Sequence, residues 1–126
     1  MTRMRETAAV LDANEAFYRA MRTGDLDAME ALWARGRAVS CTHPSGPEIF
    51  GRAAVMESWR LILGHAAPDI RAEAPQVLVT GRSAMVLCEE VIGHARLIAS
   101  NAYVREDGAW RMVTHQAAHV PELDAG

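Results

Sequence analysis

Basic charge is not in excess in this chain, cysteine is scarce, and no apolar run is long. Thirteen Lys and Arg stand against sixteen Asp and Glu, a formal net charge of −3. That balance lacks the basic face by which a protein grips nucleic-acid phosphates, so no nucleic-acid partner is expected. No window approaches the roughly 18 consecutive apolar residues of a membrane helix, and no membrane partner is expected either. The opening Met1-Thr-Arg-Met-Arg-Glu is charged and leads into no apolar segment of the signal-peptide kind, which makes the cytoplasm the expected address. The two cysteines, Cys41 and Cys88, lie far apart and form no Cys-x-x-Cys pair. They read first as small buried hydrophobes, with a disulfide or a reactive thiol as the alternative.

Repeats and low-complexity tracts are also missing, and 126 residues fit one domain, 1–126, rather than two. Half the residues are apolar and 23% are charged, the balance of an ordinary soluble globule. Residues 6–22 place Val10, Phe17 and Met21 on one stripe with Ala13 between, which predicts a helix. Gly24 breaks it, and Asp25 is a good N-cap for a second, short helix carrying Leu26, Met29, Leu32 and Trp33. Residues 38–43 alternate as a strand, Pro44 to Pro47 must be a loop, and Ile49-Phe50 is a brief strand before Gly51. A third helix runs from about Arg52 to Leu63.

From residue 69 the pattern becomes β. Strands are expected over 70–79, with an irregularity at Pro75, and over 84–92, 96–105 and 109–119. The last two meet at Asp107-Gly108, where glycine takes a positive φ without steric cost. Consecutive long strands with short loops predict an antiparallel meander. The fold class is therefore α+β: three N-terminal helices on a curved, mostly antiparallel sheet, a cone whose open end leaves a cavity.

The order of motifs resembles a known family. A helix, a Gly-Asp helix, a strand ending in His43-Pro44, Gly51-Arg-Ala-Ala-Val-Met-Glu-Ser-Trp59, Asn101-Ala-Tyr103 and Asp107-Gly-Ala-Trp-Arg-Met-Val-Thr-His115 together look like SnoaL-like proteins. These belong to the nuclear transport factor 2-like superfamily, and the resemblance covers about residues 8–120. It implies the cone fold, a pocket for a small-molecule ligand, and a homodimer formed through the outer sheet face. That superfamily includes isomerases, dehydratases, an epoxide hydrolase, cyclases and non-catalytic association domains, so fold alone names no reaction. His43, Asn101 and His115 match recurring polar positions of the family pattern. Thr114 and Gln116 stand where many relatives have further histidines, and Ala118-His119 replaces a common Ser-Pro ending.

Read residue by residue, the candidates separate. His43 shares parity with Val39 and Cys41, and is either a satisfied core histidine or a pocket acid/base with a pKa suited to neutral pH. Asn101 shares parity with Leu97 and Tyr103; it either ties a bent strand to its neighbour or stabilises negative charge on a ligand oxygen. Glu89 and Glu90 lie on opposite faces, so at most one readily enters the cavity, and Glu90 is the third catalytic candidate. On the last strand Trp110 and Met112 should meet the helices, which would carry Thr114 and Gln116 to the cavity and send His115 to the outer face. A β-bulge would reverse that assignment.

Tyr18, Trp33, Cys41, Trp59, Tyr103, Thr114, His115 and Gln116 complete the expected ligand-binding set. His115 and His119 would stand roughly 13 Å apart on one strand, too far for one metal ion, and no metal or cofactor is expected. His65 and His94 read as solvated surface groups. Two functions remain open: a ligand-binding domain without turnover, and a cofactor-independent lyase or isomerase that moves a proton on a small apolar carbonyl or hydroxyl compound.

Overall fold

The structure is a computed structural model that describes residues 3–120. Helix α1, Arg3–Thr23, buries Val10, Asn14, Phe17, Tyr18 and Met21 along one face, the 3.6-residue stripe of an amphipathic helix. It stops at Gly24, whose φ of 65° leaves the helical region. Asp25 then caps α2, Leu26–Leu32, by accepting the Ala28 N–H at 3.0 Å. Two short strands follow, β1 (Ser40–Thr42) and β2 (Glu48–Phe50), and then α3 (Arg52–His65).

The long strands are β3 (Ile70–Thr80), β4 (Ser83–Ile92), β5 (Ala95–Glu106) and β6 (Ala109–His119). The six strands form one sheet in the order β2-β1-β6-β5-β4-β3. Every neighbouring pair is antiparallel except β1 with β6. Pro75 falls on the edge strand β3, where the register with β4 shifts between Glu73 and Gln76 and Ala74 takes a φ of 51°. An edge tolerates the missing N–H, and the shift absorbs the kink. At the β5–β6 turn Asp107 and Gly108 have φ values of 53° and 79°, the paired positive angles of a type I′ hairpin.

A second register shift decides which side chains face inward. Tyr103 pairs with Met112, but Ala102 pairs with Thr114, so Val113 is an extra residue bulged out of β6. Before it, Trp110 and Met112 are buried, as their size predicts. Beyond it the parity reverses: His115 and Ala117 are buried, while Gln116 and Ala118 are exposed. Thr114 and Gln116 therefore do not face the cavity, contrary to the simple alternation, and His115 does not lie on the outer face. The physical reason is the one extra residue. Thr114 instead places its Oγ1 3.1 Å from Ser40 Oγ on the neighbouring strand.

The helices pack on the concave side of the sheet around Phe17, Met29, Trp33, Trp59, Leu97 and Met112. The α2–β1 connection is held by charged groups that satisfy backbone atoms. Glu106 accepts the N–H groups of Arg35 and Gly36 at 2.8 and 2.9 Å, which holds its carboxyl below the ordinary range. Arg52 donates to the carbonyls of Glu30, Trp33 and Ala34. Both cysteines are free and buried, and burial pushes the Cys41 thiol up to about 12. No helix among the described residues is long and apolar enough to cross a membrane.

Candidate functional site

Along β4, Ala84, Val86, Cys88 and Glu90 alternate inward, so the strand that buries two hydrophobes also buries a carboxyl. Glu90 is only 2% exposed. Tyr18, one turn beyond Asn14 on α1, donates its hydroxyl to Glu90 Oε2 at 2.7 Å. His115, turned inward by the bulge, sets Nε2 3.8 Å from the same oxygen. Its other nitrogen, Nδ1, lies 2.6 Å from Asn101 Oδ1 on β5, the residue directly across the ladder.

The network continues inward from there. Asn101 Nδ2 donates to Asn14 Oδ1 at 2.9 Å and to the Tyr18 hydroxyl at 3.0 Å. Tyr103 donates its hydroxyl to Asn14 Oδ1 at 2.8 Å, and Cys88 Sγ is 3.4 Å from the Tyr18 hydroxyl. Asn14, Tyr18, Glu90, Asn101, Tyr103 and His115, from the four elements α1, β4, β5 and β6, are thus linked in a region that is otherwise core. An unpaired polar group there would cost about 1–3 kcal/mol, so the pairing is what makes their burial tolerable.

Beside Glu90 and His115 lies a cavity of about 150 Å³ with walls formed by Met21, Trp59, Ile62, Pro68, Ile70 and Ile92. His43 completes the rim, with its Nε2 3.0 Å from Ser58 Oγ and its ring edge-on to Trp59 at 4.7 Å. Larger depressions exist, but they are more open grooves. One lies beside Glu6 and Trp110, one on the outer sheet face around Leu78 and Met85, and one beside Arg22 and Arg71. The small cavity brings His43, Glu90 and His115 together inside an apolar wall.

Electrostatics follow from burial. Desolvation raises the Glu90 carboxyl, and the Tyr18 hydrogen bond opposes this in part. Desolvation, with the neighbouring His43 second, pulls His115 down to about 3. His43 is lowered by desolvation too, and Tyr18 and Tyr103 are raised for the same reason. At neutral pH both imidazoles are uncharged.

Of the residues singled out from sequence, His43, Trp59, Glu90 and His115 line this cavity. Tyr18, Asn101 and Tyr103 stand in the hydrogen-bonded layer behind it. Cys41 is buried behind His43, its Sγ 3.6 Å from Nε2. Trp33 is core, bridged to Met112 away from the cavity. Thr114 and Gln116 are on the other face, as above. His65, His94 and His119 are exposed. Among the described residues no three His, Cys, Asp or Glu side chains are grouped to hold a metal ion.

Asn14 and Ser58 were not picked out from sequence. The signal for Asn14 was present, because its position falls on the apolar stripe of α1 between Val10 and Tyr18. Ser58 carried no such signal; it is half-buried one residue before Trp59.

Known proteins share this arrangement of elements. One structure, a nuclear transport factor 2-like protein from Streptomyces avermitilis with a suggested dehydratase role, is 30% identical. The match covers 96% of this chain and 100% of that one, with a TM-score of 0.89. A protein from Thiobacillus denitrificans, suggested to be a calcium/calmodulin-dependent protein kinase type II association domain, is 32% identical. That match covers 86% of this chain and 93% of the other, with a TM-score of 0.77. The F-box protein SKIP8 of Arabidopsis thaliana is 25% identical over 115 residues, and this chain spans about half of its length. Residues 10–121 match the SnoaL-like domain family. With that match across most of its length, and with helices and sheet in the arrangement of nuclear transport factor 2-like structures, the chain belongs to the SnoaL-like domain family.

Proposed function

We propose that the domain binds a small, largely apolar molecule in the cavity beside Glu90 and His115. The observation that carries this reading is the convergence of His43, Glu90 and His115 on a 150 Å³ space otherwise walled by Trp59 and aliphatic side chains. An apolar space with a few converging polar groups is the usual form of a ligand site. Its size suits a ligand of about one ring, since an apolar cavity of about 150 Å³ holds benzene. A thermal-shift screen of ring-sized metabolites tests the proposal. Compounds of that size should raise the melting temperature, and Ile62→Phe, which fills the space, should remove the effect. A melting temperature indifferent to every such compound refutes it.

A second reading, proton transfer of the lyase or isomerase kind, is favoured by one observation. Glu90 Oε2 and His115 Nε2 lie 3.8 Å apart at the cavity, with the carboxyl pKa raised and the imidazole pKa lowered by burial. Environments that push a carboxyl and an imidazole toward the neutral form prepare one to give a proton and the other to take one. The suggested dehydratase role of the Streptomyces avermitilis protein points the same way. Asn101 then acts through His115 instead of touching the ligand. Exchange of ligand hydrogen in heavy water, abolished by Glu90→Gln, would support turnover; binding without exchange leaves a binding domain.

We also propose a homodimer through the outer sheet face. Leu78 and Ile98 are 60% and 54% exposed there, with Met85 and Leu87 beside them. A patch of large apolar side chains on a sheet face is a candidate contact surface. The likeness to an association domain supports the same reading.

A further inference from the structure

The hydrogen bonds behind the cavity run in one direction, and that direction has a chemical consequence. Tyr103 and Asn101 both donate to Asn14 Oδ1, which leaves the Asn14 carbonyl as the acceptor that orients the Asn101 amide. With its Nδ2 committed to Asn14 and Tyr18, Asn101 can only turn its carbonyl oxygen to His115. The 2.6 Å separation agrees, because an imidazole N–H reaches an oxygen at that range while two nitrogens sit farther apart. His115 must then carry its proton on Nδ1, and Nε2 is a bare lone pair. Nε2 accepts no hydrogen bond among the described residues, and Glu90 Oε2 at 3.8 Å is beyond hydrogen-bond reach.

We propose that Asn14 and Asn101 are positioning residues that lock His115 in the Nδ1–H tautomer, so that Nε2 accepts a hydrogen bond from the hydroxyl of a neutral ring-sized alcohol, enol or phenol. This rests on the reading that the cavity binds a ligand, and it adds the ligand's chemical class. The selectivity follows from what surrounds the lone pair. Among the described residues no Lys or Arg lines the cavity, so a carboxylate ligand would find no cation there and would meet Glu90. A purely apolar ring would fit the walls and leave Nε2 without a partner, which gives up the hydrogen bond that distinguishes a hydroxyl. The opposite arrangement, with both amides turned over, would put an N–H on Nε2 and call for a ligand that accepts.

Phenol, toluene and benzoate are suitable probes, since the first two differ only by hydroxyl and methyl. In the ligand-free protein, histidine ¹⁵N NMR should show His115 protonated on Nδ1 alone; protonation on Nε2 overturns the tautomer assignment whatever the ligand. Titration with phenol should move the His115 Nε2 resonance toward that of a hydrogen-bonded acceptor, and toluene should leave it in place. Asn14→Leu should release the tautomer to a mixture and weaken phenol binding in proportion to the Nδ1–H fraction lost, roughly twofold for equal tautomers. If Asn14→Leu does not fold, the wild-type tautomer and the phenol titration still decide. Equal effects of phenol and toluene, or tighter binding of benzoate, defeat the hydroxyl inference but keep the cavity as a ligand site. No binding of any of the three defeats both.

Discussion

Acidification from pH 7 to pH 5 should destabilise the fold through His115, and the expected size can be worked out. Its imidazole is 2% exposed, and burial lowers its pKa from 6.5 to about 3. Between those values the unfolded chain binds a proton that the folded chain refuses. The stability tied to the neutral ring is therefore complete above pH 6.5 and is lost as the pH falls toward 3. At pH 5 the loss is about 2 kcal/mol, one and a half units at about 1.4 kcal/mol each. His43, also lowered by burial, adds to the loss. Glu90 opposes it: with its pKa raised, the folded state takes up a proton before the unfolded chain does, so its contribution grows as the pH falls. Glu90→Gln removes that opposition and keeps an oxygen to accept from Tyr18. Urea unfolding followed by tryptophan fluorescence at pH 7, 6 and 5 should show the variant losing about 2 kcal/mol or more, and the wild type less. A variant whose stability does not change over that range would show that His115 is protonated inside the fold, and would refute the reasoning.

Trp110, 7% exposed with the Arg105 guanidinium 5.8 Å from its ring centroid, is a core side chain of the hairpin. Trp110→Ala should cost about 3–5 kcal/mol in urea unfolding, and an unchanged curve would contradict its placement. Asp25→Ala removes the side-chain cap of α2 and should cost about 1 kcal/mol; amide exchange should show the loss concentrated in residues 26–32. Ile98→Arg on the outer sheet face should convert a dimer to a monomer by light scattering without lowering helix or strand content. A monomeric wild type at micromolar concentration would remove the dimer proposal.

The fold was largely legible because its signals are local. Asp107-Gly108 marks the hairpin, Gly24-Asp25 marks a helix stop and a cap, and Pro75 marks an edge or a bulge; each acts through backbone geometry that one or two residues dictate. The site was legible only in part, because its decisive feature is a register. Nothing in Arg111-Met-Val-Thr-His115 announces a bulge: no glycine or proline marks it, and Val113 is a good strand former. The sizes of Trp110 and Met112 gave the correct face up to the bulge and the wrong one after it. Glu90 was legible as one of two faces, and the alternation Ala84, Val86, Cys88 already chose its side. Asn14 could have been found by asking why an amide lies on the apolar stripe of α1.

The bulge and the buried network explain each other. Without Val113 bulged out, His115 would face outward, Asn101 would oppose a different side chain, and Glu90 would be a buried carboxyl with Tyr18 as its partner and no imidazole beside it. With the bulge, β6 delivers an imidazole across the ladder from an amide whose orientation is already set from α1. Apolar residues of similar volume could fill this region at equal or lower free energy, because hydrogen bonds in a core do little more than offset the desolvation of the groups that make them. Stability is therefore a poor reason for six linked polar side chains behind one small cavity. A better reason is what they impose at its surface: a neutral imidazole, held in one tautomer, next to a carboxyl that burial favours in its protonated form.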